Sequence, residues 1–192
     1  KQMKKIALAT LLALVAVTAS AVEVGVEFQD QLGKNNGPKS DNYQLSVKQA
    51  VNDNFAVDVK TLTVVGKTDN TETGLSSSQL EAGVTGQYNV MGLATPYVRV
   101  GLGERYTTTT NYSYYSIEPG VNIPVASTGV TATVAWRYRA PFDQDANQWE
   151  TRTWRADLGY NITKADNVYV GYDRMRGDTQ AGITRVGYAH SF

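Results

Sequence analysis

The chain is expected to be all-β: a closed, antiparallel, up-and-down transmembrane β-barrel of about ten strands (roughly eight to twelve). Three observations predict it. Apolar and polar side chains alternate with a period of two along most of the 192 residues. The N-terminus has the form of an export signal. No later segment holds the roughly 20 apolar residues that a membrane-crossing helix needs, so any span must be made of strands.

The export signal comes first. Met3, Lys4 and Lys5 give a basic start, Ile6 to Val17 is an almost uninterrupted apolar run, and Ala19-Ser20-Ala21 is an A-x-A cleavage site. Residues 1–21 are therefore expected to be removed, leaving 22–192 as the barrel. From there the strands follow in order. In "VEVGVEF", Val22, Val24, Val26 and Phe28 oppose Glu23, Gly25 and Glu27. Tyr43, Leu45 and Val47 oppose Gln44, Ser46 and Lys48, and Phe55, Val57 and Val59 oppose Ala56, Asp58 and Lys60. Leu80 to Val90 alternates about Glu81, and Val98, Val100 and Leu102 oppose Arg99, Gly101, Gly103 and Arg105. Tyr115, Ile117, Pro119 and Val121 oppose Ser116, Glu118 and Gly120; Pro119, lacking a ladder donor, is expected near a strand end. Trp136 and Tyr138 alternate with Arg137 and Arg139, and Trp154, Leu158 and Tyr160 with Arg155, Asp157 and Gly159. Val168, Val170 and Tyr172 oppose Tyr169, Gly171 and Asp173, and Val186, Tyr188 and Phe192 oppose Arg185, Gly187 and Ser191.

Between them, Gly33–Ser40, Asp69–Ser78 and the stretch holding Asp143 and Asp145 read as long outer connections. "VNDN", "MGLATP" and "NITKADN" read as shorter periplasmic ones.

A soluble sandwich would place the polar faces in water. Here those faces carry glycines and charges of both signs, which suits the crowded lumen of a small barrel. The apolar faces carry aromatics at both strand ends. Phe55, Tyr88, Tyr160 and Phe192 fall at the periplasmic end, and Phe28, Tyr43, Tyr106, Trp136, Tyr138, Trp154 and Tyr172 toward the outer end, forming a pair of interfacial girdles. Twelve tyrosines against four phenylalanines fit that amphipathic position.

The stretch "RVGYAHSF" resembles the C-terminal assembly signal of bacterial outer-membrane proteins, with Arg185, Gly187, Tyr188 and the terminal aromatic Phe192; His190 stands where an aromatic is usual. "ATPYVRVGLGERY" with "YSIEPGVNIPV" resembles the small outer-membrane β-barrel, porin-like superfamily. "VAWRYRAPF", "WRADLGYNI" and "TRVGYAHSF" are similar to strands of the acidic-oligosaccharide-specific porins, whose lumens carry arginines. The resemblance implies an integral protein of the Gram-negative outer membrane. It further implies lipid and lipopolysaccharide as surroundings and the barrel-assembly machinery as a partner during biogenesis.

Parity places fifteen charged residues inward: acids Glu23, Glu27, Asp58, Glu81, Glu118, Asp157 and Asp173, and bases Lys48, Lys60, Arg99, Arg105, Arg137, Arg139, Arg155 and Arg185. Two readings stay open. Through Glu81 the wall is mainly acidic and from Arg99 onward mainly basic, so opposed walls would set a transverse field across a narrow passive channel for small hydrophilic solutes, anions among them. Alternatively, ion pairs fill the lumen and close it, and the outer loops carry function.

Other classes are disfavoured. Equal counts of 18 basic and 18 acidic residues argue against a nucleic-acid partner. The absence of cysteine removes thiolate chemistry, and the one histidine, His190, has its neighbour Ser191 on the opposite face, so no enzyme is expected. "GLGERY" lies within a strand and lacks the third glycine of a phosphate loop, and Asp143 with Asp145 lacks calcium-motif spacing. No cofactor or metal is expected. A monomer is, because no apolar surface exceeds what lipid would cover.

Overall fold

A computed structural model describes residues 22–33, 39–68, 71–108, 110–125, 128–143, 149–177 and 180–192. The export signal at 1–21, much of the 33–40 connection and Asp145 lie outside the described residues. Ten strands follow one another: β1 (Val22–Gly33), β2 (Lys39–Asn52), β3 (Phe55–Thr68), β4 (Thr71–Gln87), β5 (Thr95–Thr107), β6 (Asn111–Val125), β7 (Val130–Pro141), β8 (Thr151–Asn161), β9 (Asp166–Gly177) and β10 (Ala181–Ser191). Each pairs antiparallel with its chain neighbours, and β10 returns to β1, closing the barrel. The seam runs in register from Glu23 opposite Ser191 to Gly33 opposite Ala181, and the Phe192 N–H donates to the Val22 carbonyl at 2.9 Å. Closure leaves no unpaired edge, which a hydrocarbon environment requires.

The pleat explains the alternation. A 12-residue strand such as β1 is about 40 Å long and rises about 30 Å when tilted by about 40°, enough to cross the apolar band. Outside, Val26, Val84, Leu102, Leu158, Val170 and Val186 are all between 51% and 59% exposed. A continuous apolar exterior of this kind has no counterpart in a water-soluble monomer and is the surface that lipid covers. Inside, Glu27, Asp58, Glu81, Arg99, Glu118, Asp173 and Arg185 are buried.

The structure changes the expectations for Asp69–Ser78 and for Pro119. Asp69–Ser78 is not a long loop: β3 and β4 continue as a paired hairpin to Thr68 opposite Thr71, while of the Gly33–Ser40 connection the described residues already belong to β1 and β2. The polar, threonine-rich stretch favours strand, and register shifts at Val64/Val65 and Gly66/Lys67 bend the hairpin beyond the barrel. Outer and periplasmic connections therefore do not alternate as long and short.

Pro119 lies mid-strand rather than near an end. The β6–β7 ladder is interrupted between Ile117 opposite Tyr138 and Gly120 opposite Ala135, without a change of register. The missing proline donor accounts for the gap, and the β5 side stays paired, with Pro119 opposite Val98.

Candidate functional site

The lumen is organised around an ion-paired belt. Arg99 on β5 donates Nε to Asp58 at 2.9 Å and Nη2 to the same carboxylate at 2.6 Å, while its Nη1 meets Glu81. Glu81 also takes Nη2 of Arg137 at 2.5 Å and the Ser116 hydroxyl at 3.2 Å. Arg155 on β8 reaches Glu118 at 3.0 Å and Asp173 at 3.5 Å. Arg185 on β10 spans Glu27 at 3.0 Å, Asp173 at 2.8 Å and Asp157. Glu27 is held further by the Tyr169 hydroxyl at 2.7 Å and the Gln29 amide at 2.6 Å. Burial at 4% exposure for Arg99 and 2% for Arg185 makes these pairs interior ones, sensitive to loss of either partner.

The expected separation into an acidic and a basic wall is absent. Arginines from β5 and β7 neutralise the acids of β3 and β4, and barrel closure brings Arg185 of the last strand onto Glu27 of the first. Charges segregated along the chain are paired in space: Arg99 and Arg185 act where the two halves adjoin, at β4/β5 and β10/β1, and Arg137 of β7 reaches Glu81 of β4 across the lumen.

A cavity of about 380 Å³ lies on each side of the belt. The one toward the end that holds Val22, read from sequence as the periplasmic end, is lined by Glu23, Lys48, Lys60 and Asp157, with Tyr97 and Asn122. The outer one holds Arg105, Arg137 and Arg139, with Gln79 and Trp149. Gln44 and Arg155 line both. In the outer cavity, Arg139 donates to Gln79 at 2.8 Å and lies over the Tyr114 ring, and Arg105 donates to the Ser77 hydroxyl at 3.2 Å and lies over Trp149. Among the described residues, neither guanidinium has a carboxylate within ion-pairing distance, so this cavity is electropositive.

Several interior residues were not singled out from sequence. Tyr97 and Tyr114 lie across from Gly120 and Gly103, and Tyr169, read inward by parity, lies across from Gly187. Each ring occupies the space that a side chain on its opposing glycine would take. The signal was present: Tyr97 is two residues from Arg99, and Tyr114 two from Ser116, so parity turns both inward. Leu62, Val64 and Ile183 also face the outer cavity, so the inward face is not uniformly polar there.

Against known structures, the chain is similar to an outer-membrane channel from Pseudomonas putida F1, with a TM-score of 0.59 and 8% identity over 92% of this chain and 97% of that one. It is also similar to the beta domain of the Bordetella autotransporter BrkA, with a TM-score of 0.52 and 12% identity over 91% of this chain and all of that one. A third likeness is to the translocator domain of the autotransporter NalP from Neisseria meningitidis, with a TM-score of 0.51 and 8% identity over all of this chain and 95% of that one. The fold is that of bacterial outer-membrane β-barrels. No protein-family profile and no curated protein sequence matches the chain.

In an outer-membrane barrel the exterior aromatics take on a defined setting. Phe55, Tyr88, Tyr160 and Phe192 lie outward at the end that holds Val22, and Phe28, Tyr43, Tyr106, Trp136, Tyr138, Trp154 and Tyr172 lie outward toward the other end. Trp136 stacks on Tyr138, and Tyr115 joins Tyr138 and Phe142 in an outer cluster. Along β10, Arg185 and Gly187 face inward while Tyr188, His190 and Phe192 face outward. His190 meets the Phe192 ring edge-on at 4.5 Å, and its Nδ1 lies 2.8 Å from Asp166. Asp166 also accepts from the Tyr188 hydroxyl at 2.6 Å and the Thr163 hydroxyl at 2.5 Å, and these bonds hold its carboxyl well below the usual carboxylate range. Ser191 points to the opposite face from His190, so the two form no dyad.

Proposed function

We propose that the barrel is a narrow, porin-like passive channel for small hydrophilic solutes with a preference for anions. The electropositive outer cavity supports this reading: Arg105 and Arg139 are held by neutral and aromatic groups, leaving their charge to a passing anion. The ion-paired belt is the constriction, and solutes pass it where Gln44 and Arg155 border both cavities. Charge reversal in the outer cavity tests the proposal. Across a salt gradient in a planar bilayer, Arg139→Glu is expected to move the reversal potential toward cation preference. A reversal potential equal to that of the unsubstituted protein would refute the anion preference.

One observation favours a second reading, a closed barrel whose outer surface carries function. Arg99 and Arg185 are almost fully buried among carboxylates, as in an interior packed shut. That reading predicts no conductance from a folded protein.

A further inference from the structure

On the exterior, at the outer end of β8 and β9, three arginines point toward the membrane rather than the lumen: Arg152, Arg174 and Arg176. Arg152 and Arg176 are directly opposite one another across the two strands, and all three side chains are exposed. Like charges facing each other on one sheet surface destabilise it unless an anion lies between them. Glu150 neutralises part of Arg152 at 2.8 Å, but among the described residues no carboxylate reaches Arg174 or Arg176. Aromatic residues lie beside and below them. Trp154 is the cross-strand partner of Arg174, Tyr138 is that of Arg152, and Tyr172 is two residues below Arg174 on the same face.

Height matters here. Aromatic residues mark the interface between hydrocarbon and headgroups. Arg174 stands level with Trp154 and one outward position, about 7 Å of strand, beyond Tyr172, while Arg152 and Arg176 stand one position further out, level with Tyr138, so the three span the outer part of the aromatic girdle, where headgroups meet hydrocarbon. Elsewhere on the outer rim the exterior charges of β1–β3 are different: Asp30, Asp41 and Lys67 form a mixed cluster, with Lys67 2.5 Å from Asp41. The basic patch is therefore confined to one side.

We propose that Arg152, Arg174 and Arg176 form a binding site for the phosphorylated headgroup of an outer-leaflet lipid, whose acyl chains lie against Trp154 and Tyr172. The guanidinium forks bridge the phosphate oxygens, and the bridging anion relieves the Arg152–Arg176 repulsion. This site lies outside the lumen and does not depend on whether the barrel conducts.

The probe is diphosphoryl lipid A compared with its dephosphorylated form, mixed into detergent micelles holding the folded barrel. Native mass spectrometry reads retention of one lipid per barrel. The phosphorylated form is expected to be retained at least about tenfold better, and Arg152→Gln/Arg174→Gln/Arg176→Gln to abolish the difference. Lys67→Gln, on the other side, is expected to leave it intact. If the triple variant does not fold, as read by heat-modifiable migration, Arg174→Gln and Arg176→Gln singly are each expected to lower retention severalfold. Equal retention of the two lipids, or undiminished retention by the folded variants, would overturn the site. So would complete displacement of lipid A by millimolar inorganic phosphate, which would assign the arginines to a free anion.

Discussion

Replacing Arg185 with leucine removes the cation that Glu27, Asp157 and Asp173 share inside the barrel. Removing one partner of a buried ion pair costs about 3–5 kcal/mol. Here the loss falls toward the lower bound. Glu27 keeps the Tyr169 hydroxyl and the Gln29 amide, and Asp173 keeps Arg155, so Asp157 bears the greater part. The expected destabilisation is about 3 kcal/mol, roughly a hundredfold in the folding equilibrium. Reversible urea unfolding in phosphatidylcholine vesicles, followed by tryptophan fluorescence, measures it. Arg152→Leu is the reference: its pair with Glu150 is a surface one, with 62% of the Arg152 side chain exposed, and its removal is expected to cost at most about 1 kcal/mol. A loss for Arg185→Leu no larger than that reference would show the belt screened by water like an exterior surface, and would refute the account of a buried network.

The other predictions concern packing, depth and pH. Gly187→Ala places a methyl group where the Tyr169 ring lies, and is expected to cost about 1–3 kcal/mol in the same urea titration, a penalty that Tyr169→Ser in the same chain relieves. Trp154, exterior at the outer end, is expected to be quenched by brominated lipid, and Trp149, in the outer cavity, to be spared; equal quenching of single-tryptophan variants would contradict the inside–outside assignment. Asp166 is acidified by its hydroxyl and imidazole partners, so its contribution is fully present above the ordinary carboxylate pKa of about 4 and is lost as pH falls below that toward the lowered folded value. The urea midpoint of the unsubstituted protein is therefore expected to exceed that of Asp166→Asn from pH 8 to about pH 4, and the margin to shrink below that pH; a margin that does not shrink below about pH 4 would contradict the bonding at that turn.

How much of this was legible beforehand follows from the periodicity. A two-residue repeat assigns every side chain to one face, so the inward turn of Glu27, Arg99 and Arg185 and the outward turn of Phe28, Trp154 and Tyr172 could be read directly. Pairing could not. Parity says that Arg185 faces inward, but only closure against β1 says that it meets Glu27. The polar stretch around Asp69 has the composition of a loop, yet its threonines pair as strand once β3 and β4 are aligned. Pro119 is tolerated mid-strand because β5 supplies the ladder that β7 lacks there. Parity alone turns Arg152, Arg174 and Arg176 outward, but only the alignment of β8 with β9 sets Arg152 opposite Arg176.

The account of a narrow passage through an ion-paired belt is tested most directly by single-channel recording of the folded protein in a planar bilayer across a salt gradient. It predicts discrete steps of small conductance with anion preference. A silent membrane, from protein whose heat-modifiable migration shows it folded, would contradict the channel and leave a barrel closed by Arg99, Arg155 and Arg185.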